Sequence, residues 1–104
     1  MRGEVHLVQL DPTVGSEIQK TQPCVVVSPD ELNAHLRTVI VAPMTTGGRA
    51  YPWRIKCRFQ QRSAFVVLDH LRAVDRERLV TRLGALSSTT LGEVLGGLQE
   101  MFAE

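Results

Sequence analysis

The sequence predicts a mainly β fold with short helices, in which short strands form a small, strongly bent barrel and one helix covers it. Three observations indicate this α+β arrangement. Short runs of β-branched residues alternate with turn residues along most of the chain. A single stretch near the end has apolar residues at helical spacing. The length of 104 residues suits one domain, residues 1–104, with one modest core.

The first half of the chain contains three predicted strands. Gly3–Leu10 alternates between polar and apolar residues, whereas Pro23–Ser28 and Thr38–Met44 are short apolar runs typical of buried strands. Pro23 is expected to open its strand, because the missing N–H is tolerated at the first position. Pro43 lies inside the third strand and indicates an edge position or a bulge.

A short helix is predicted between the second and third strands, from Pro29 to His35. Ser28 is expected to be its N-cap and Pro29 its first helical residue, with Glu31 three residues after the serine.

The second half contains further predicted strands. Pro52–Phe59 alternates between an apolar face and a row of three cations. The apolar face comprises Trp53, Ile55, Cys57 and Phe59, and the cationic face comprises Arg54, Lys56 and Arg58. Ala64–Leu68 is a buried-type strand, and Arg82–Leu86 is a last short strand. Asp75 is expected to cap a turn through residues 76–78.

The last predicted element is a helix capped by Ser87 or Ser88. Its apolar stripe comprises Leu91, Val94, Leu95, Leu98 and Phe102. Three glycines, at positions 92, 96 and 97, each weaken a helix by roughly 1 kcal/mol relative to alanine. We therefore expect tertiary packing to hold this helix in place.

The charge distribution is more informative than the net charge of +1. Between Leu32 and Leu68 there is no acidic residue, yet there are six cations. Such asymmetry can place a basic groove on a nearly neutral protein. The alternative is a solvated strand face.

Several classes of protein and site are disfavoured by the sequence. No apolar run approaches the roughly 20 residues of a membrane span, and the start does not resemble a signal peptide. We expect a cytoplasmic protein without membrane contact, in which Cys24 and Cys57 are reduced and packed in the barrel. The histidines, His6, His35 and His70, form no cluster with metal-ligand spacing, so no metal or other cofactor is expected.

Four segments in order resemble the MazF/PemK toxin family over nearly the whole chain. They are LDPTVGSE (Leu10–Glu17), VVVSPDELN (Val25–Asn33) after Pro23, VIVAPMTT (Val39–Thr46) and VVLDHLRAVDRERL (Val66–Leu79). The resemblance implies a CcdB/PemK-like, SH3-type barrel that forms a homodimer. It also implies a metal-independent, sequence-specific endoribonuclease of a type II toxin–antitoxin system, without a cofactor. Such enzymes cut single-stranded RNA, including mRNA, by attack of the 2′-OH, which gives a 2′,3′-cyclic phosphate and a 5′-OH.

The resemblance also implies which residues act. The family's catalytic arginine directly precedes the proline of the second strand, and this chain has Gln22 there. Thr45 matches a threonine that donates to the phosphoryl oxygen, and Glu17 matches a loop carboxylate with a catalytic or supporting role. Because glutamine is neutral, we expect weakened or absent cleavage unless Lys20 or Arg49 supplies the missing charge.

Two further positions correspond to supporting residues. Asp69 matches a catalytic aspartate of PemK-type members, but the arginine two residues before it there is Val67 here. A salt bridge, for example with Arg72, is an equally consistent role for Asp69. His70 stands where the family usually has glutamine and could move protons or be structural. Ser16 stands where some PemK-type members have histidine.

The expected RNA-binding cations are Lys20, Arg49, Arg54, Lys56 and Arg58. Trp53 could stack on a base, although its alternation with Ile55 favours the core. In the family the same groove receives the acidic, disordered C-terminal tail of the antitoxin, so antitoxin and RNA would compete. The alternative to an active toxin is a catalytically inactive dimeric module that binds RNA and antitoxin. A CcdB-like gyrase poison is disfavoured, because the chain ends without a tryptophan.

Overall fold

Among residues 1–10 and 20–104, seven strands form one curled sheet that is covered by a C-terminal helix. The computed structural model describes residues 1–10 and 20–104. The strands are β1 (Glu4–Gln9), β2 (Thr21–Val26), β3 (Thr38–Thr45), β4 (Arg54–Phe59), β5 (Arg62–Val67), β6 (Arg72–Asp75) and β7 (Leu79–Ala85). The helices are α1 (Asp30–His35) and α2 (Ser88–Met101), and 3₁₀ turns span Leu68–His70 and Arg76–Arg78. The predicted mainly β architecture with a C-terminal helix is confirmed.

The central strand of the sheet is β3, which has different partners at its two ends. The strand order is β4-β5-β3-β2-β1-β7, and β6 also pairs with β3. Residues 38–41 of β3 pair with β6, whereas Met44 and Thr45 pair with β5. Pro43 lies between these two segments. It is therefore not on an edge strand, and it lies at a break in the ladder, where a proline is tolerated.

The alternation of side chains along the strands separates two apolar clusters. The first lies between the sheet and α2 and contains Val5, Val25, Ala42, Met44, Cys57, Val66, Leu68 and Val94. The second, reached from the opposite face of β2 and β3, contains Val8, Cys24, Val26, Val39, Val41 and Val74. Both cysteines are free and buried, as predicted. Burial raises the pKa of the Cys24 thiol to about 12, which keeps it protonated.

Helix α2 packs closely against the rest of the fold at Gly97. A Cβ at this position would lie 2.8 Å from Leu68 Cδ1 and 3.2 Å from Ile55 Cδ1. The helix begins after Ser87, whose hydroxyl accepts a hydrogen bond from the Thr90 N–H at 3.2 Å. Phe102 was predicted in the buried stripe, but it follows the helix end and is 70% exposed. Packing of α2 therefore depends on the positions before Phe102.

Ser28 has a different role from the predicted one. Helix α1 begins at Asp30 with Pro29 as its N-cap, and no side chain caps it. The buried Ser28 hydroxyl donates to Asn33 Oδ1 at 2.5 Å and accepts from the Ile40 N–H at 3.0 Å. A buried hydroxyl needs such partners, and here they attach α1 to β3.

Several strands differ from the sequence predictions. Strand β2 begins at Thr21, before Pro23, because Thr21 and Gln22 pair with β1. Strand β6 was not predicted, and β7 begins at Leu79 rather than Arg82. Two of the four residues of β6 are charged, and pairing with β3 and β1 stabilises β6 and β7 as strands. The predicted cap is confirmed, since Asp75 Oδ1 accepts from the Glu77 N–H at 2.9 Å.

In the part of the chain that the structure describes, no helix has the length and apolar character needed to cross a membrane.

Candidate functional site

A cleft of about 330 Å³ brings Gln22 and Thr45 together, and we call it the Gln22 cleft. Apolar and polar side chains both contribute to its wall. The lining residues are Gln22, Pro23, Met44, Thr45, Thr46, Phe59, Gln60, Arg62, Ala64 and Leu83. Among these, Arg62 has the only charged side chain.

The antiparallel register of β2 and β3 explains why Gln22 lies beside Thr45. Cys24 pairs with Pro43, and continuing this register places Gln22 opposite Thr45. The Gln22 Nε2 group donates to the Met44 carbonyl oxygen at 3.0 Å. A glutamine amide has two N–H donors, and no second acceptor for it is found among residues 1–10 and 20–104, so one donor is available to a ligand in the cleft.

The Thr45 hydroxyl lies at the end of β3, where the chain leaves the sheet. Its Oγ1 accepts from the Gly47 N–H at 3.3 Å and lies 3.4 Å from the Gly47 carbonyl oxygen, to which it can donate. Both distances are long for hydrogen bonds. The hydroxyl can therefore turn toward a ligand at small energetic cost.

Arg62 enters the Gln22 cleft from the hairpin of β4 and β5. Phe59 pairs with Arg62, and Cys57 pairs with Ala64. Since paired residues share a face and alternate residues return to it, Arg62 lies on the same face as the buried Ala64. The sequence pattern did not indicate Arg62 as a site residue, because the strand was predicted to begin at Ala64. A two-residue hairpin turn at residues 60 and 61 would have placed Arg62 at the start of the strand.

A second cleft of about 460 Å³ contains Arg54 and Asp69, and we call it the Arg54 cleft. It is lined by Tyr51, Pro52, Trp53, Arg54 and Asp69. The Arg54 guanidinium lies 4.9 Å from the centre of the Tyr51 ring, and its Nε donates to Asp69 Oδ1 at 3.4 Å. This arginine is held by a cation–π contact and an ion pair.

Asp69 forms its ion pair with Arg54 rather than with Arg72. His70 Nε2 also lies 3.6 Å from Asp69 Oδ2. The largest single influence on the Asp69 pKa is partial burial, which raises it. The hydrogen bond from Arg54, the backbone N–H of Asp69 and the charges of Arg54 and His70 lower this pKa, and their combined effect is larger. The carboxylate is thus ionised near neutral pH and is a weak base.

Trp53 is not on the apolar face of β4, because β4 begins one residue later. It lies in a turn with φ of 71° and is 36% exposed. The remaining expected cations line neither cleft, and all four are exposed: Lys20, Arg49, Lys56 and Arg58. Lys56 and Arg58 lie on the face of β4 opposite to Cys57, as predicted.

The loop after Thr45 joins the two clefts. Gly48 has φ of 99°, and a Cβ there would lie 3.8 Å from Arg54 Nη1. This left-handed conformation favours glycine. Glu17 and Ser16 lie outside the described residues.

Within residues 1–10 and 20–104, no group of three histidine, cysteine or acidic side chains is arranged to hold a metal ion.

The sequence matches the family described as "PemK-like, MazF-like toxin of type II toxin-antitoxin system" over residues 1–102. Endoribonuclease PemK of Escherichia coli is 35% identical in an alignment over 103 residues, which covers 93% of this chain and 77% of that protein. Endoribonuclease MazF of Staphylococcus epidermidis is 31% identical, with coverage of 89% and 82%. Among solved structures, a MazE–MazF crystal structure from Deinococcus radiodurans has a TM-score of 0.81 at 26% identity and covers 96% of this chain and 92% of that one. The family match spans nearly the whole chain, and the chain therefore belongs to the PemK-like, MazF-like toxins of type II toxin–antitoxin systems.

Proposed function

We propose that the chain is an endoribonuclease toxin that cuts single-stranded RNA in the Gln22 cleft. The 2′-OH attacks the adjacent phosphate and yields a 2′,3′-cyclic phosphate and a 5′-OH. Membership of the toxin family and two curated relatives named endoribonucleases support this activity. The observation that carries the proposal is the meeting of Gln22 and Thr45, which are distant in sequence, in one cleft.

The proposed reaction requires a base, an acid and donors for the phosphoryl oxygens. Thr45 donates its hydroxyl to a phosphoryl oxygen, and Glu17 serves as the loop carboxylate for proton transfer. Asp69 has a lowered pKa and an ion pair with Arg54. It therefore positions Arg54 rather than accepting the 2′-OH proton. His70, beside Asp69, supports this ion pair.

Gln22 makes the enzyme slower than relatives with an arginine at this position. Its amide is neutral, and one of its N–H groups already donates to Met44. A transition-state arginine can contribute about 10³ to 10⁵ in rate. We therefore expect a weak endoribonuclease.

Cations outside the Gln22 cleft bind the RNA backbone. Lys20, Arg49, Arg54, Lys56 and Arg58 contribute charge to this surface, so that binding weakens as salt concentration rises. We further propose that the chain acts as a homodimer and binds an antitoxin whose acidic tail competes with RNA. The MazE–MazF structure from Deinococcus radiodurans supports such a partner.

One observation favours the alternative of an inactive module that binds RNA and antitoxin. The Gln22 amide bridges β2 and β3 through the Met44 carbonyl. A glutamine could therefore be kept at this position for structure alone.

The test is RNA cleavage in excess EDTA by the unsubstituted chain, by Gln22→Arg and by Gln22→Arg/Thr45→Ala. Slow cutting by the chain, acceleration of at least about 100-fold by Gln22→Arg, and loss with Thr45→Ala are expected, with 5′-OH products. Thr38→Ala is the matched control, because Thr38 lies exposed at the opposite end of β3.

Cleavage by Gln22→Arg alone would support the inactive module. If neither the unsubstituted chain nor Gln22→Arg cuts RNA, the endoribonuclease proposal is wrong.

A further inference from the structure

We propose that Arg62 binds the scissile phosphate in the Gln22 cleft and supplies the positive charge that Gln22 lacks. This inference rests on the proposed function, and it names a residue that the resemblance did not indicate. It explains how a site without the family's arginine can still stabilise charge on a phosphoryl group.

The position of Arg62 is the first argument. It is the only charged side chain among the described residues that line the cleft. Its side chain is exposed, and no ion pair with it is found among residues 1–10 and 20–104. A guanidinium with free donors in a fork suits phosphoryl oxygens.

The second argument is the fixed backbone beneath Arg62. Gln60 and Gln61 form the hairpin turn with φ of 51° and 64°. Such left-handed values match the twist of two-residue hairpins, but side chains other than glycine and asparagine adopt them at a cost. Gln60 Nε2 also donates to the Leu83 carbonyl oxygen at 3.2 Å, which attaches the hairpin to β7. The arginine therefore starts from a defined position, which favours oriented binding.

The other candidate cations are less suitable. Arg54 is engaged with Tyr51 and Asp69 in the Arg54 cleft. Lys20 and Arg49, which the sequence suggested as replacements, do not line the Gln22 cleft. Arg58 pairs with Ser63 on the face of the hairpin opposite to Arg62.

The inference predicts that the contribution of Arg62 depends on residue 22. With glutamine at position 22, Arg62 is the one cation at the phosphate, and its loss should be severe. With arginine at position 22, a second guanidinium shares the charge, and loss of Arg62 should matter less. Such non-additivity is expected of groups that act on the same atoms.

The experiment compares single-turnover RNA cleavage in EDTA by four proteins: the unsubstituted chain, Arg62→Gln, Gln22→Arg and Gln22→Arg/Arg62→Gln. Removing Arg62 from the unsubstituted chain should slow cleavage by about 100-fold or more, the range for a lost donor to a developing oxyanion. The same change should slow Gln22→Arg by less than about 10-fold. Arg37→Gln is the matched control, with an expected change below about 3-fold, because Arg37 is highly exposed, lines neither cleft and precedes β3 at the end opposite to Thr45.

Thermal unfolding of each variant checks the fold, and Arg62→Met, which keeps the aliphatic stem, is the second variant. Equal cleavage rates for Arg62→Gln and the unsubstituted chain would overturn the role of Arg62 but not the endoribonuclease proposal. Cleavage by Gln22→Arg but not by the unsubstituted chain would also overturn the role of Arg62, and the Gln22 cleft would remain the site. If no protein in the set cuts RNA, both the endoribonuclease proposal and the role of Arg62 are wrong.

Discussion

Glu4 shows how a single residue connects stability to pH. Its carboxylate lies 3.0 Å from His6 Nε2, 3.4 Å from Arg82 Nε and 3.7 Å from the amino group of Met1. The hydrogen bond from His6 is the largest influence on the Glu4 pKa and lowers it, and the cations lower it further against the opposing effect of partial burial. A carboxyl group with a lowered folded pKa contributes stability above its unfolded pKa, and this contribution is lost as pH falls through the folded pKa.

We therefore predict that Glu4→Gln lowers the free energy of unfolding by about 1 kcal/mol at neutral pH. The difference should begin to shrink as pH falls below the unfolded pKa of 4.5, because the unfolded carboxyl then binds a proton that the native carboxyl binds only at lower pH. Urea unfolding at pH 7 and pH 3.5 measures both values. Glu77→Gln is the control, since the Glu77–Arg37 pair is highly exposed. A Glu4→Gln effect of the same size at both pH values would contradict this account.

Individual site residues differ in how well the sequence predicts them. Gln22 and Thr45 were identified through the resemblance to the toxin family, and the structure brings them together in one cleft. Arg62 and Trp53 were misjudged because backbone conformation decides their positions. The tight turn at residues 60 and 61 lets β5 begin at Arg62 rather than at Ala64, and the positive φ of Trp53 takes this residue out of strand geometry. Side-chain alternation alone reveals neither feature.

At the scale of elements, two neighbouring glycines of α2 have opposite surroundings. Gly97 faces Leu68 and Ile55, and a Cβ there would come within 2.8 Å of a fully buried leucine side chain. A Cβ at Gly96 would meet nothing within 4 Å. The same substitution should therefore have different effects at adjacent positions.

We predict that Gly96→Ala raises the free energy of unfolding by about 1 kcal/mol through helix propensity. Gly97→Ala gains the same propensity but forces the helix away from the sheet, and overpacking costs about 1–3 kcal/mol. Its net effect should be neutral or destabilising. Urea denaturation of the two variants provides the matched comparison. Equal stabilisation by both alanines would show that the close contact at Gly97 does not constrain α2.

Elements with a clear periodicity were predictable, and elements that depend on distant partners were not. Strands β1 and β3 and helix α2 have apolar patterns that indicate their type. Strand β6, with the sequence RAVD, has no such pattern and exists because residues 38–41 offer it a pairing edge. Propensity gives way to tertiary pairing in such segments.

At the scale of the whole molecule, the sheet brings two clefts to one loop. Thr45 and Thr46 line the Gln22 cleft, and Gly48 of the same loop lies next to the Arg54 guanidinium. A single-stranded RNA could pass from the exposed cations of β4 through the Arg54 cleft to the Gln22 cleft. In this arrangement cleavage and backbone binding use different arginines, Arg62 for the scissile phosphate and Arg54 for its neighbours.

The most direct test is a crystal structure of the chain with an oligoribonucleotide that carries a 2′-deoxy nucleotide at the cut site, so that it binds without being cleaved. The account predicts the uncleaved phosphate in the Gln22 cleft, within hydrogen-bond distance of the Thr45 hydroxyl and the Arg62 guanidinium, at about 2.7–3.2 Å. A phosphate held instead by Arg54 in the other cleft, with Gln22 and Arg62 free of RNA, would contradict it.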